Sequence, residues 1–324
     1  MSVRSGAETS LTKDRYAQTA HKCIVIAITH YRALTDCVRA WIGEMEAIME
    51  ISYIQLMEER HSVRTFDGRP VPMEIRDRLI QAAEQTESPF GAKARAVLIE
   101  QAPGAGTPHL GTYGVIKGAA LYMGIVSQRH HFELEHIGYV GQELLLLAQS
   151  MGLSGCWLGG TFNKTVFAKA MGLGGKEIMP AVIPLGWPAD KVRMTEKVMR
   201  TTTKADSRLP WDQLFFRDSF KVPLTEKAAG HYAAALECIR LAPSAVNKQP
   251  WRIIFHDHGF HFYQAHTINT PGREMDIQRI DMGIAMCQFH LAMKELGAVG
   301  RFAERPQDGV SADTEWDYLI SYVK

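Results

Sequence analysis

Two stretches of this sequence are apolar on nearly every side of a helix, and they carry the same pattern of glycines. The first runs from Gly138 to Met151 with Leu144 to Leu147 at its centre; the second runs from Gly283 to about Leu296. A helix that is hydrophobic all round has no face to give to water, so both must lie inside the protein. Gly152 and Gly297 suit the left-handed position that closes such a helix. Gly138, Gly152 and Gly155 fall opposite Gly283, Gly297 and Gly300, each pair 145 positions apart. Two readings stand at this point. The chain contains a duplicated unit, or two unrelated apolar helices align because glycine is common at that cap.

The elements around each helix follow one plan. Pro70 and Pro72 precede a helix with Ile75, Leu79 and Ala83 at helical spacing, and Ala96 to Ile99 then reads as a strand. Ala181 to Gly186 reads as a further short strand. In the later part, a helix carrying Tyr232, Leu236 and Ile239 must stop at Pro243. Arg252 to Phe255 and Phe260 to Tyr263 read as a hairpin across Asp257, His258 and Gly259. Residues 1 to about 50 differ: polar and charged residues fill the first twenty positions and a weakly helical stretch follows. They read as a poorly ordered extension with at most one helix, with Met45, Met49 and Met57 as alternative starts. The apolar run Cys23 to Ile28 is too short for a signal peptide. Thr29, His30, Tyr31 and Arg32 stand where a small-residue cleavage site should be.

Charge removes two classes of partner. Lys and Arg number 36 against 35 Asp and Glu, a net charge of +1, so no global field draws the chain to nucleic acid or an anionic membrane. No apolar run is long enough to span a bilayer. Five cysteines without a C-x-x-C pair argue against a disulfide framework or zinc ribbon and fit a reducing cytoplasm. The partners to expect are small molecules.

Two motifs carry the chemistry. Arg60-His61-Ser62-Val63-Arg64-Thr65-Phe66 sets two guanidinium forks and a hydroxyl within five residues, enough to converge on one phosphate. A solvated charge cluster balancing Glu58 and Glu59 is the competing explanation. Pro243-Ser244-Ala245-Val246-Asn247-Lys248-Gln249-Pro250 packs small residues between prolines and leads into a strand. Such a loop can approach a flat ligand, with Asn247 and Gln249 offering amides to a heterocycle edge or a ribityl hydroxyl. A tight connection in which Asn247 satisfies its own backbone explains the prolines equally well.

Both motifs resemble signatures of the FMN-dependent nitroreductase and flavin reductase family. Met151 to Asn163, Gly172-Leu173 and Pro180 to Gly186 are similar to its later glycine-rich segment, and Asp206-Ser207-Arg208-Leu209-Pro210 to its short basic C-terminal motif. The order is unusual. Family members place the Pro-Ser-Asn motif a few tens of residues after Arg-Ser-Arg; here the two lie more than 170 residues apart, and residues 87–95 hold a different sequence at the expected place. The family is usually a homodimer with flavin at the interface. The resemblance therefore implies two tandem nitroreductase-like halves, 51–218 and 219–324, in one α+β chain with a central, mainly antiparallel sheet flanked by long helices. It implies a monomer that imitates the dimer and retains one complete FMN site.

Carried over, Arg60, Ser62 and Arg64 would hold the phosphate and ribityl end of FMN, with His61 contributing through its backbone and Arg208 as a further phosphate ligand. Pro243, Ser244, Ala245 and Asn247 would pack beside the ribityl chain and ring. Gly159 and Gly160 would place backbone N–H groups near the reactive edge. The implied activity is NAD(P)H oxidation, with NADH or NADPH as transient reductant and a nitroaromatic, quinone or free flavin as acceptor. No catalytic side chain is required, because the cofactor carries the hard step. Two residues depart from the family pattern: Leu158 where many members carry an acid, and Asp206 where a base is common. These departures keep a non-catalytic flavin-binding or sensor protein as the alternative, beside a dehydrogenation or ring-fragmentation catalyst of the same superfamily. His256, His258 and His261 invite a metal reading, but no carboxylate or cysteine completes a recognisable spacing. Cys156 reads as a buried small hydrophobe, and Tyr113 and Trp157 as pocket or core.

Overall fold

The apolar periodicity places two long helices at the centre, and the computed structural model puts them there in mutual contact. It describes residues 52–91, 93–101, 110–257, 259–268, 275–305 and 315–323; the expectations for residues 1–50 lie outside these. In chain order the elements are α1 (Tyr53–Glu59), α2 (Met73–Gln85), β1 (Ala94–Glu100), β2 (Leu121–Gln128), α3 (Glu133–Ser150), β3 (Ser154–Gly155), α4 (Lys164–Ala170), β4 (Glu177–Ile178), β5 (Val182–Gly186), α5 (Met194–Thr202), β6 (Phe215–Arg217) and β7 (Ser219–Pro223). They continue with α6 (Glu226–Ala229), α7 (Ala233–Leu241), β8 (Trp251–His256), β9 (Gly259–Gln264), α8 (Gln278–Glu295), β10 (Arg301–Ala303) and β11 (Asp317–Val323).

The mainly antiparallel pairing expected from the sequence is present, divided between two sheets. The first has the order β1-β2-β5-β3, with β4 also on β2; the second runs β10-β11-β9-β8-β6-β7. Among the described strands only β6 and β8 pair in parallel. The paths β1-β2-β5-β3 and β8-β9-β11-β10 are the same: an antiparallel pair, a long helix, a short strand, and a last strand that returns between the two. Helix α3 packs on the first sheet and on α8. Phe289 of α8 meets Phe260, Phe262 and Tyr322 of the second sheet, at ring separations of 5.0, 5.5 and 5.2 Å.

The paired glycines have a steric reason. A Cβ on Gly138 would strike the backbone carbonyl of Ile280, and a Cβ on Gly283 would strike that of Glu135. Each glycine thus faces the backbone three positions before its counterpart, so the contact is reciprocal at the offset seen in the sequence. Gly152 and Gly297 close their helices with φ of 83° and 69°, as their position predicted. At the same crossing Arg279 Nε donates to Glu135, whose side chain is wholly buried. Burial pushes the Glu135 carboxyl up to about 7 against the pull of Arg279.

Candidate active site: an arginine-lined cleft

Residues 60–66 follow directly on α1. Val63, Thr65 and Phe66 are buried, and Arg60, Ser62 and Arg64 face a cleft. The segment is fixed by Val63 N–H donating to Gly155 O (3.2 Å) and Phe66 N–H to Lys117 O (2.8 Å). Glu196, buried in the first turn of α5, accepts from Arg64 N–H at 3.1 Å and from the Thr65 hydroxyl at 2.7 Å. His61 is exposed and also lines the cleft, with its Nδ1 3.3 Å from Glu59 O.

Residues 243–249 form the facing wall. A 3-10 turn, Ala245–Asn247, contains Val246 at φ 52° and Asn247 at φ 56°, and Gln249 follows at 50°. Left-handed non-glycine residues cost roughly 1–3 kcal/mol each and persist where surrounding contacts over-determine them. Those contacts are plain here. Gln249 N–H donates to Ser244 Oγ (2.9 Å), Leu209 N–H to Gln249 Oε1 (2.9 Å), and Asn247 Nδ2 to Lys204 O (2.7 Å) and Ser207 O (2.9 Å). Both amides have partners within the protein. Gln249 is buried and serves the loop, and the N–H groups of Asn247 hold carbonyls 40 or more positions back, leaving Oδ1 for the cleft.

Two adjoining cavities share this wall. Arg60, His61, Ser62, Arg64, Arg208, Pro243, Ser244 and Asn247 line the first, together with Arg200 and Asp206. Gly159, Gly160 and Ala245 line the second, again with Ser62, Arg64, Pro243 and Ser244. The second has a volume of about 450 Å³, within the range of roughly 300–1,000 Å³ usual for small-molecule sites. All eleven residues nominated from the sequence therefore lie on one cleft, with contributions from both sides of residue 218.

The first cavity is electropositive without full compensation. Arg60 Nε and Nη1, Arg64 Nη1 and Arg208 Nε are buried with no hydrogen-bond partner among the described residues. Burial, then the neighbouring charges of Arg208, Arg64 and Arg200, lowers the Arg60 guanidinium to about 10. Asp206 pairs with Arg200 at 2.5 Å and offsets one cation. Arg208 is less free than expected: its Nη1 donates to Ala205 O and Ser207 O, and its Nη2 to Leu241 O. Buried guanidinium N–H groups left unpaired are costly, so the cavity is built for an anion.

The second cavity is mainly apolar. Trp157 lines it, held by Nε1–H donating to Gln142 Oε1 at 3.1 Å, whereas Tyr113 is 70% exposed and lies elsewhere. Ile277, Ile280 and Ile284 supply part of the floor. A Cβ on Gly159 or Gly160 would meet nothing within 4 Å, and neither has a left-handed φ. No packing or backbone demand requires glycine there; the open space is on the cavity side. Cys156 is buried and its thiol is pushed up to about 12, consistent with an inert role.

Arg200, Glu196 and Asp281 were missed by sequence reasoning. Arg200 lies in a helix of mixed charge that reads as a solvated face, and Glu196 with it. Asp281 left a usable signal, an acid two residues before the apolar run that starts at Gly283. Of the three clustered histidines, His256 Nδ1 meets Asp218 at 2.8 Å and His261 Nδ1 meets Ser321 at 2.7 Å, while His258 lies outside the described residues. Among the described residues no group of three or more potential ligands could hold a metal. No helix among them is long and apolar enough to cross a membrane.

Fold and cleft together define a nitroreductase-type protein. The structure is similar to that of a "putative nitroreductase" from Thermotoga maritima MSB8, with 18% identity over 84% of this chain and 94% of that one and a TM-score of 0.54. An FMN-dependent nitroreductase from Clostridium difficile R20291 covers 43% of this chain and 88% of its own at 15% identity and a TM-score of 0.34. A nitroreductase family protein from Clostridium difficile 630 covers 50% and 96% at 16% identity and a TM-score of 0.38. None of the curated proteins matches the chain. The family model described as "Putative TM nitroreductase" matches residues 52–293, and the chain belongs to that family.

Proposed function

We propose that the chain is an FMN-dependent NAD(P)H oxidoreductase with one flavin site, built between its two halves. The observation that carries this reading is the set of buried, unpartnered guanidinium N–H groups at one end of a cleft whose other end is apolar and glycine-lined. A phosphomonoester with a flat ring attached fits that division of charge. Arg60, Arg64 and Arg200 would bind the phosphate, and Ser62 and Ser244 would meet the ribityl hydroxyls. Gly159 and Gly160 leave room for the ring, and neither donates its N–H to a backbone carbonyl among the described residues. Both N–H groups are thus free to stabilise negative charge at the ring edge. Trp157 and the isoleucine floor would exclude water. FMN bound there supplies hydride chemistry in two half-reactions, oxidising NADH or NADPH and then reducing a nitroaromatic, quinone or flavin acceptor.

The two halves support a single-chain site. Their shared strand path and the reciprocal Gly138 and Gly283 contacts favour a duplication, in which one polypeptide supplies both sides of what two subunits would otherwise form. The protein is then expected to be a monomer. Steady-state NAD(P)H oxidation by the FMN-loaded protein at several acceptor concentrations tests the function. Parallel double-reciprocal lines are expected for the two half-reactions. A protein that holds FMN without turning over NADH or NADPH would be a flavin binder only.

A further inference from the structure

Asp281 lies in the first turn of α8 with only 5% of its surface exposed, and it lines the second cavity. Both carboxylate oxygens accept the N–H of Ala245, at 3.1 and 3.0 Å. Among the described residues it makes no ion pair, and Ala245 N–H is the hydrogen-bond donor that reaches it. A buried acid without a cation is an expensive feature, and it needs a compensating purpose.

That purpose is visible one residue along the chain. Ala245 opens the 3-10 turn that carries Val246 and Asn247 into left-handed conformations. Val246 is β-branched, 62% exposed and borders both cavities, so its own packing does not hold the unfavourable φ. The strained turn has to be held from behind, and Asp281 is the group behind its first N–H. Across the cleft Glu196 does the same for Arg64 and Thr65.

We propose that Asp281 is a positioning residue, holding the Ala245–Asn247 turn in the shape that completes the ligand cleft through the Ala245 N–H. The role of Asp281 in the turn does not depend on what the cleft binds. Only its consequence for FMN rests on the proposed function.

The experiment compares Asp281→Leu and Asp281→Asn with the unaltered chain in two measurements. The first is amide hydrogen exchange of residues 244–249 in flavin-free protein; the second is FMN affinity by fluorescence titration. Asp281→Leu removes the acceptor, and both exchange and the FMN dissociation constant should rise by about tenfold or more, the scale of leaving a buried N–H without its acceptor. Asp281→Asn keeps one acceptor oxygen and should restore both to within about threefold. Asp281→Ser replaces the leucine variant should that one not fold. Unchanged exchange in a folded Leu or Ser variant overturns the proposal, as does an Asn variant as impaired as the Leu variant. An unaltered chain that fails to bind FMN defeats the proposed function and leaves the exchange result to decide the role of Asp281.

Discussion

Arg60 is the residue at which burial and charge conflict most sharply. Its guanidinium sits among three others, is lowered to about 10, and has two nitrogens with no partner among the described residues. A phosphate dianion would relieve the repulsion and the desolvation together. Replacing Arg60 or Arg64 by Ala should therefore weaken FMN binding by ten- to a hundredfold, about the worth of a charge-assisted hydrogen bond. Fluorescence titration reads this directly, and unchanged affinity in both variants would remove the arginines from the site. At this scale the sequence was informative where function is written in short motifs. Arg60, Ser62 and Arg64 lie within five residues of one another and line the same cavity. The partners of the Asn247 and Gln249 amides, Lys204, Ser207 and Leu209, were not legible because they are distant in sequence and nothing local specifies them. Asp281 is similar, since its partner Ala245 is 36 residues earlier.

Helices α3 and α8 depend on reciprocal close approach. Helix propensity alone would favour alanine over glycine by about 1 kcal/mol. A Cβ at Gly138 or Gly283 meets the rigid backbone of the opposite helix, and overpacking of this kind costs roughly 1–3 kcal/mol or more. Gly138→Ala and Gly283→Ala should each lower stability in denaturant unfolding, and by similar amounts because the contact is reciprocal. A gain in stability would show that the helices do not meet there. Glu135 at the same crossing gives a pH signature. Its carboxyl is raised from 4.5 to about 7 in the folded protein, mainly by burial, so the folded state binds the proton more tightly. That contribution is fully present below about pH 4.5 and is lost as the pH rises through about 7. Glu135→Gln should flatten the fall in stability between pH 5 and 7, compared by unfolding across that range. The long helices, α2 and the hairpin β8–β9 were legible from period and glycine punctuation. Strands β2 and β11 were not: one is apolar throughout and the other lies beyond the last recognisable motif, so pairing partners rather than local pattern define them.

For the whole molecule, the chain places two equivalent strand paths around two helices and builds one cleft from both sides of residue 218. The order of motifs was the clue: the arginine-rich motif and the proline-bounded loop, more than 170 residues apart in sequence, line one cleft within a single chain. The division into two sheets was less legible, because short strands say little about which neighbours they join. The most direct test is the visible absorption spectrum of protein loaded with FMN, freed of excess, and then treated anaerobically with NADH or NADPH. The account predicts flavin bands near one equivalent per chain that bleach on reduction. Two equivalents, or no retained flavin, would contradict a single site built between the halves.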